Sequence, residues 1–400
     1  MNVPVQRLPN ATSSACAMQP DSTASQAEVT APAPSSTVQQ AQASAGVSPV
    51  EATADTDQPA TAQPDTAQPR TAQEWVRVLA RYREPDPARS AFELAISVLP
   101  FIGIWALALW ALSFSYLLAF VLGVANAAFV LRLFLIQHDC GHGAFFADKR
   151  TGDWIGRVLA VFTMTPYDVW KRTHSAHHSA TGNLDKRGFG DVHTMTVAEY
   201  RAATPFQRLM YRLYRHPVIL FGLGPGFLFL LQNRIPYGLT RAGWIYWASA
   251  MGTNAATLAF LVALYAYAGW APILLIFLPS VMVAATIGMW LFYIQHQFEE
   301  TYWEGDSEWQ IHDAALHGSS HYDLPPLARW FTANIGIHHV HHLYARIPYY
   351  KLPQVLRDNE ELAQAQRLGF RESLSCVKFH LWDEQARRLI SFKAERDLRA

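Results

Sequence analysis

Of the 400 residues half are apolar, 13% are aromatic and only 16% are charged, a composition too apolar for two or three ordinary soluble domains and one that leans toward a membrane protein. Lys plus Arg and Asp plus Glu balance at 32 each, so no basic excess points to nucleic acid and no acidic excess to a disordered chaperone. Histidine is the residue in surplus, sixteen in 400 or 4%, and most of it falls in tight groups.

Residues 1–73 are mostly Ala, Thr, Ser, Gln and Pro, with the imperfect repeat DQPATAQPDTAQPRTAQ near their end. Such a stretch buries too little apolar surface to offset the entropy of ordering, so a disordered tail is expected there. It lacks the apolar core of a secretory signal. The folded region is expected over 74–353, followed by a cytoplasmic helical segment over 354–400.

Four apolar stretches, 92–112, 117–136, 244–267 and 272–294, are each close to the roughly 20 helical residues that a bilayer core requires. The first two are separated only by SFSY and the last two by a few residues around Gly269, which predicts two membrane hairpins. Buried helices of a soluble core are the competing reading, but these rarely run so long without a charge. A fifth apolar stretch, 217–231, is shorter and is interrupted by GLGPG, where glycine and proline are expected to break a helix, so it is assigned to the membrane interface along with 154–165. Thirteen Lys and Arg lie between Lys149 and Arg241 and none in the two connecting turns, which puts the long segments and both termini on the cytoplasmic side. The fold predicted is therefore all-α and integral to the membrane, four helices in two hairpins beneath a cytoplasmic helical cap.

The three cysteines are Cys16, Cys140 and Cys376, too scattered for a disulfide framework or a thiolate cluster, so any metal must be held by nitrogen or oxygen. HDCGH places His138 and His142 four apart at the cytoplasmic end of the second span. That spacing stacks two imidazoles on one helix face but arises by chance about 0.6 times in a chain this rich in histidine. HSAHH supplies His174, His177 and His178, and HHVHH supplies His338, His341 and His342 in the same HxxHH spacing, with His339 as an extra. Each HxxHH is expected only roughly 0.03 times by chance. On a helix each box offers up to three nitrogens to a site lying against its face. Eight imidazoles exceed the needs of one zinc and suit two ions of higher coordination, as in non-haem iron sites. His296, in IQHQFEE at the end of the fourth span, arrives at the same depth and is the ninth ligand candidate. Asp139, Asp185, Asp191 and Glu299 are placed to hold the outer nitrogens of the imidazoles, though each reads equally well as an exposed acid. His193, His312, His317 and His321 fall between the motifs.

The strings HDCGHGAFF, HSAHHSATGNLDKRGFGD, IQHQFEETYW and NIGIHHVHHL followed by RIPYYKLP resemble the integral-membrane fatty acid desaturases, in particular the bacterial acyl-lipid type, over about residues 92–353. The resemblance implies an oxygen-dependent enzyme of the bacterial inner membrane that uses two non-haem irons on its cytoplasmic face, with O2 as co-substrate, to remove two hydrogens from an acyl chain carried by a lipid or a thioester. It gives His138, His142, His174, His177, His178, His338, His341 and His342 ligand roles and makes His296 similar to the additional histidine before the third box. Asn334, four residues before His338, faces the same site and holds a water, or else caps a helix. No haem-binding stretch, dinucleotide fingerprint or cysteine cluster is present in the sequence, so a separate ferredoxin or cytochrome b5-like donor is implied. The basic loop from Lys149 to Arg215 could dock that donor or anionic lipid, or simply be a solvated positive-inside face. A hydroxylase or carotenoid ketolase is the nearest alternative, since the same oxidant can insert oxygen. A metal transporter is a remote one, because the spans carry almost no ionisable residue away from their ends and Arg132 is close enough to the edge to snorkel.

Overall fold

The computed structural model describes residues 70–398 apart from residue 189. The expected disordered tail therefore lies outside the described residues up to residue 69, while Ala72 and Gln73 already belong to the first helix and Thr71 caps it. Helix α1 (Ala72–Leu79) starts with a capping box in which Glu74 N donates to Thr71 Oγ1 at 3.3 Å and Thr71 N to Glu74 Oε2 at 2.8 Å.

Helices α2 (Pro87–Ala111) and α3 (Tyr116–His142) form the first hairpin. Asp86 caps α2, accepting from Arg89 N at 3.0 Å, and Ser115 caps α3. Gly143 ends α3 at φ 65, in the left-handed region that glycine enters without strain. Twenty-seven residues make α3 about 40 Å long, some 10 Å more than a bilayer core, so its last turns carry His138 and His142 beyond the apolar layer. The apolar run stops at residue 136, but the backbone hydrogen bonding does not.

Helices α4 (Lys149–Thr163) and α5 (Tyr167–Ala180) follow, then α6 (Val197–Ala202) and α7 (Pro205–Tyr214). The GLGPG stretch does not break its helix. A π-turn at Val218–Leu223 passes directly into α8 (Gly224–Leu230), and Pro225 sits in the first turn of α8, where the missing N–H costs little. The second hairpin pairs α9 (Trp244–Ala268) with α10 (Leu278–His296) and uses the same device: a π-turn at Ile273–Phe277 precedes Pro279 in the first turn of α10.

Among the described residues four helices are thus long and apolar enough to cross a membrane, and a fifth crossing arises only if α7 and the stretch Val218–Arg234, bent by 57°, are one broken span. Their outer faces expose large apolar side chains such as Leu99, Leu117 and Trp244. Helix α3 is the central one: 56% of its apolar window is buried, against 22–33% in the other three. Gly123 makes this possible, because a Cβ there would stand 2.6 Å from the Leu275 carbonyl oxygen, and Ser280 Oγ donates to the Gly123 carbonyl at 2.7 Å across the same contact.

The cap is built from α11 (Ile311–His317), α12 (Pro326–Phe331), the short α13 (His338–Leu343) and α14 (Leu352–Asp358). The segment 354–398 mixes short helices with strands, where the sequence suggests helix alone. Met195–Thr196 (β1) runs parallel to Leu381–Asp383 (β4), which pairs antiparallel with Arg388–Ile390 (β5), and His321–Asp323 (β2) runs parallel to Arg367–Gly369 (β3). These pairings stitch the C-terminal segment to the cap. The protein remains predominantly helical, with a histidine-rich centre where cap and spans meet.

Candidate metal centre

Four helices bring the histidine boxes together. His138 and His142 come from the end of α3, His174, His177 and His178 from α5, His296 from the last residue of α10, and His338, His341 and His342 from α13. They separate into two groups, His138, His142, His174 and His341 in the first and His177, His296, His338 and His342 in the second, with one ring nitrogen of each within 4.8 Å of the others in its group. His178 joins the first group, its Nε2 standing 3.2 Å from both His174 Nε2 and His341 Nε2, while its ring stacks on that of His342 at 4.0 Å. All nine candidates are therefore in one place.

The hydrogen bonds around the second group show what it lacks. His177 Nδ1 is bonded to the carboxylate of Asp191, and His296 Nδ1 donates to the Gly318 carbonyl at 3.0 Å. With those protons on Nδ1, both Nε2 atoms carry bare lone pairs, yet they face each other at 3.2 Å. His296 Nε2 is also 3.1 Å from His338 Nε2, which is 3.1 Å from His342 Nε2. Lone pairs crowded in this way repel unless a cation lies between them. In the first group His138 Nδ1 is held by Asp139 Oδ1 at 3.1 Å, and His142 Nε2 is buried without a partner. The donor set fits metal ions, and imidazole nitrogen fits iron among them. Burial, and then the neighbouring imidazoles, hold His174, His178, His338, His341 and His342 well below the usual imidazole pKa, so they stay in the neutral, metal-binding form.

Of the four acids proposed as outer partners, Asp139 and Asp191 touch imidazoles. Asp185 instead accepts from Asp306 N at 2.8 Å, and Glu299 pairs with Arg388 at 3.3 Å. Asn334 is not aimed at the centre: it lies at φ 55 and donates to the Tyr349 carbonyl at 3.2 Å. His193, His312, His317 and His321 belong to neither group, and His339 turns away to the Leu362 carbonyl at 2.8 Å.

A buttress behind His138 escaped the sequence reading. Arg132 does not snorkel: it is 1% exposed and paired with Glu93 of α2, with Nε donating to Ser97 Oγ at 2.8 Å. Tyr349, from the RIPYYKLP stretch, donates through its hydroxyl to Glu93 at 3.0 Å and through its backbone N–H to Asp139 Oδ2 at 2.7 Å. A continuous chain thus runs from Arg132 through Glu93, Tyr349 and Asp139 to His138. Its signal was present in the sequence, since an acid near the start of one span and an arginine near the end of the next share a depth in an antiparallel hairpin.

The profile of the fatty acid desaturases matches residues 113–373, which include every histidine of the centre. The chain belongs to the fatty acid desaturase family. A fatty acid desaturase of Bacillus subtilis is 41% identical over 323 residues, 80% of this chain and 91% of that protein. An sn-1 acyl-lipid omega-3 desaturase (ferredoxin) of Synechocystis is 26% identical over 280 residues, 67% of this chain and 74% of that one. An sn-1 oleoyl-lipid 12-desaturase of Arthrospira platensis is 22% identical over 219 residues, 55% and 62% of the two. This desaturase is accordingly an oxidoreductase of lipid metabolism that introduces a double bond into an acyl chain. The hydroxylase, ketolase and transporter readings give way to it.

Proposed function

We propose that the two histidine groups hold two iron ions and that the enzyme desaturates acyl chains borne by membrane lipids, taking electrons from a separate ferredoxin or cytochrome b5-like protein at the cytoplasmic face. The observation that carries the reading is the facing of His177 Nε2 and His296 Nε2 with both Nδ1 protons committed elsewhere. Bound iron supplies the oxygen activation by which O2, two hydrogens of the chain, two donor electrons and two protons leave as two waters.

The chain's own residues prepare that chemistry. Asp191 and the Gly318 carbonyl fix the tautomers and ring planes of His177 and His296, and Asp139 does the same for His138, which keeps Nε2 free to bind. Neutral imidazoles leave the positive charge of the ions undiminished. Residues 74–353 are the catalytic region in this reading, with 354–400 serving as a support to the cap. The thirteen basic residues from Lys149 to Arg241 favour a cytoplasmic cap in the bacterial inner membrane. The lipid-borne substrate and the ferredoxin donor draw support from the names of the cyanobacterial relatives. The test is to express the protein in a bacterial host and analyse the fatty acids by gas chromatography with mass spectrometry. New unsaturated chains in the phospholipid fraction are expected, and hydroxylated chains without a new double bond would overturn the reading.

A further inference from the structure

Among the described residues two arginines are buried, and they are treated differently. Arg132 has the carboxylate of Glu93. Arg215, 2% exposed, meets only neutral acceptors: Nη2 donates to Gln297 Oε1 at 2.8 Å, the Phe379 carbonyl at 2.8 Å and Tyr293 OH at 3.2 Å, Nη1 donates to the His193 carbonyl at 3.1 Å and Thr194 Oγ1 at 3.4 Å, and Nε is buried without a partner. A guanidinium cannot shed its proton, so its charge remains uncompensated by these contacts.

Arg215 lines a cavity of about 250 Å³ that it shares with Arg212, Arg396, His216 and His380, and none of the described residues lining the cavity is acidic. That volume holds a phosphate group together with several waters, each of which takes roughly 30 Å³. Phe392 forms one wall, with the His380 ring stacked on it at 4.2 Å and the Arg212 guanidinium 5.3 Å from its centre. Neighbouring Arg201, by contrast, already has a carboxylate, that of Glu395 at 3.0 Å. Arg212, whose Nε donates to Tyr200 OH at 2.5 Å, and Arg396 border this space beside the buried, uncompensated charge of Arg215, a concentration of positive charge suited to an anion with several oxygens, which the planar guanidinium forks match.

The position says which anion. Arg215, His216 and Pro217 occupy the 57° break between α7 and the stretch Val218–Arg234. On one side of the break α7 exposes Phe206, Leu209 and Leu213, and on the other Val218 and Leu223 are exposed. Exposed apolar side chains on both sides of the break suit the acyl layer of a membrane, and with them there the cavity would stand at the level of the lipid headgroups. On its inner side Arg215 bonds Gln297 and Tyr293, respectively next to His296 and one turn before it.

We propose that this cavity binds the phosphate of a membrane phospholipid, the carrier of the chain to be desaturated. The proposal rests on the acyl-lipid reading above. Inorganic phosphate shares the chemistry but brings no chain. The experiment is calorimetric titration of the purified full-length protein in detergent with short-chain phosphatidylglycerol, with diacylglycerol of the same chains and with inorganic phosphate. Phosphatidylglycerol is expected to bind at least about tenfold more tightly than diacylglycerol, and Arg396→Gln and Arg212→Gln, both on exposed side chains, are expected each to weaken it about tenfold. Equal binding of the two lipids, or unchanged binding by both variants, overturns the proposal. Saturation by inorganic phosphate at lower concentration than by phosphatidylglycerol overturns the lipid assignment in favour of a free anion. Binding requires no turnover, so a host that shows no new lipid unsaturation would count against the function while leaving this result to stand or fall by itself.

Discussion

Helix α5 sends the i and i+4 histidines of its box, His174 and His178, to the first group and His177 to the second, whereas α13 sends His338 and His342 to the second group and His341 to the first. With 3.6 residues per turn, i and i+4 lie almost above one another, and i+3 falls to the side. The same HxxHH spacing therefore gives a pair of imidazoles to one group and the odd one to the other, and the two helices together tie the groups into one unit. Their surroundings differ as well. Helix α5 has 14 residues and leaves its back in solvent at Ser175 and Ser179, while α13 has six residues, all of them buried. With no side-chain cap, α13 is held from outside, His338 N donating to the Ser320 carbonyl at 3.2 Å and His339 bonding the Leu362 carbonyl.

The largest effects should come from the two odd residues. His177→Ala should empty the second group and His341→Ala the first, each abolishing desaturation while iron analysis shows loss of one ion or both from a protein still in the membrane. Wild-type iron content in either variant would break the symmetry just described. Smaller effects are expected one layer out: Asp191→Asn should weaken the second site, and Asp139→Asn the first, by about 10–100-fold in metal affinity, measured by competition with a chelator. Smallest is the contrast in how the helices are supported. Val340→Ala, at the fully buried back of α13, should lower stability by about 1–3 kcal/mol, and Ser175→Ala, on the exposed back of α5, by no more than about 0.5 kcal/mol, read by thermal unfolding in detergent.

The eight box histidines could be recognised in sequence because helical spacing and an improbable repetition both mark them, and His296 because it ends its span at the same depth. Their division between two sites could not, because it depends on how α5 and α13 are turned about their axes relative to each other. The outer partners show the same limit. Asp139 adjoins its histidine and Asp191 reaches back 14 residues from a loop, while Asp185 and Glu299, equally close in sequence, find other partners. Span positions were legible from apolar length, but their ends were not, since α3 continues six residues past the apolar run. GLGPG reads as a break only when the helix must stay strictly α; a π-turn before Pro225 removes that requirement. The Arg132–Glu93 pair was readable from its matched depth, yet a lone arginine near a span end looks the same as one that snorkels.

The most direct test of the centre is an anomalous difference map at the iron absorption edge from crystals of the iron-loaded enzyme. Two peaks are predicted, one among His138, His142, His174, His178 and His341, the other among His177, His296, His338 and His342. A single peak, or a peak whose ligands mix the two sets differently, would contradict the account.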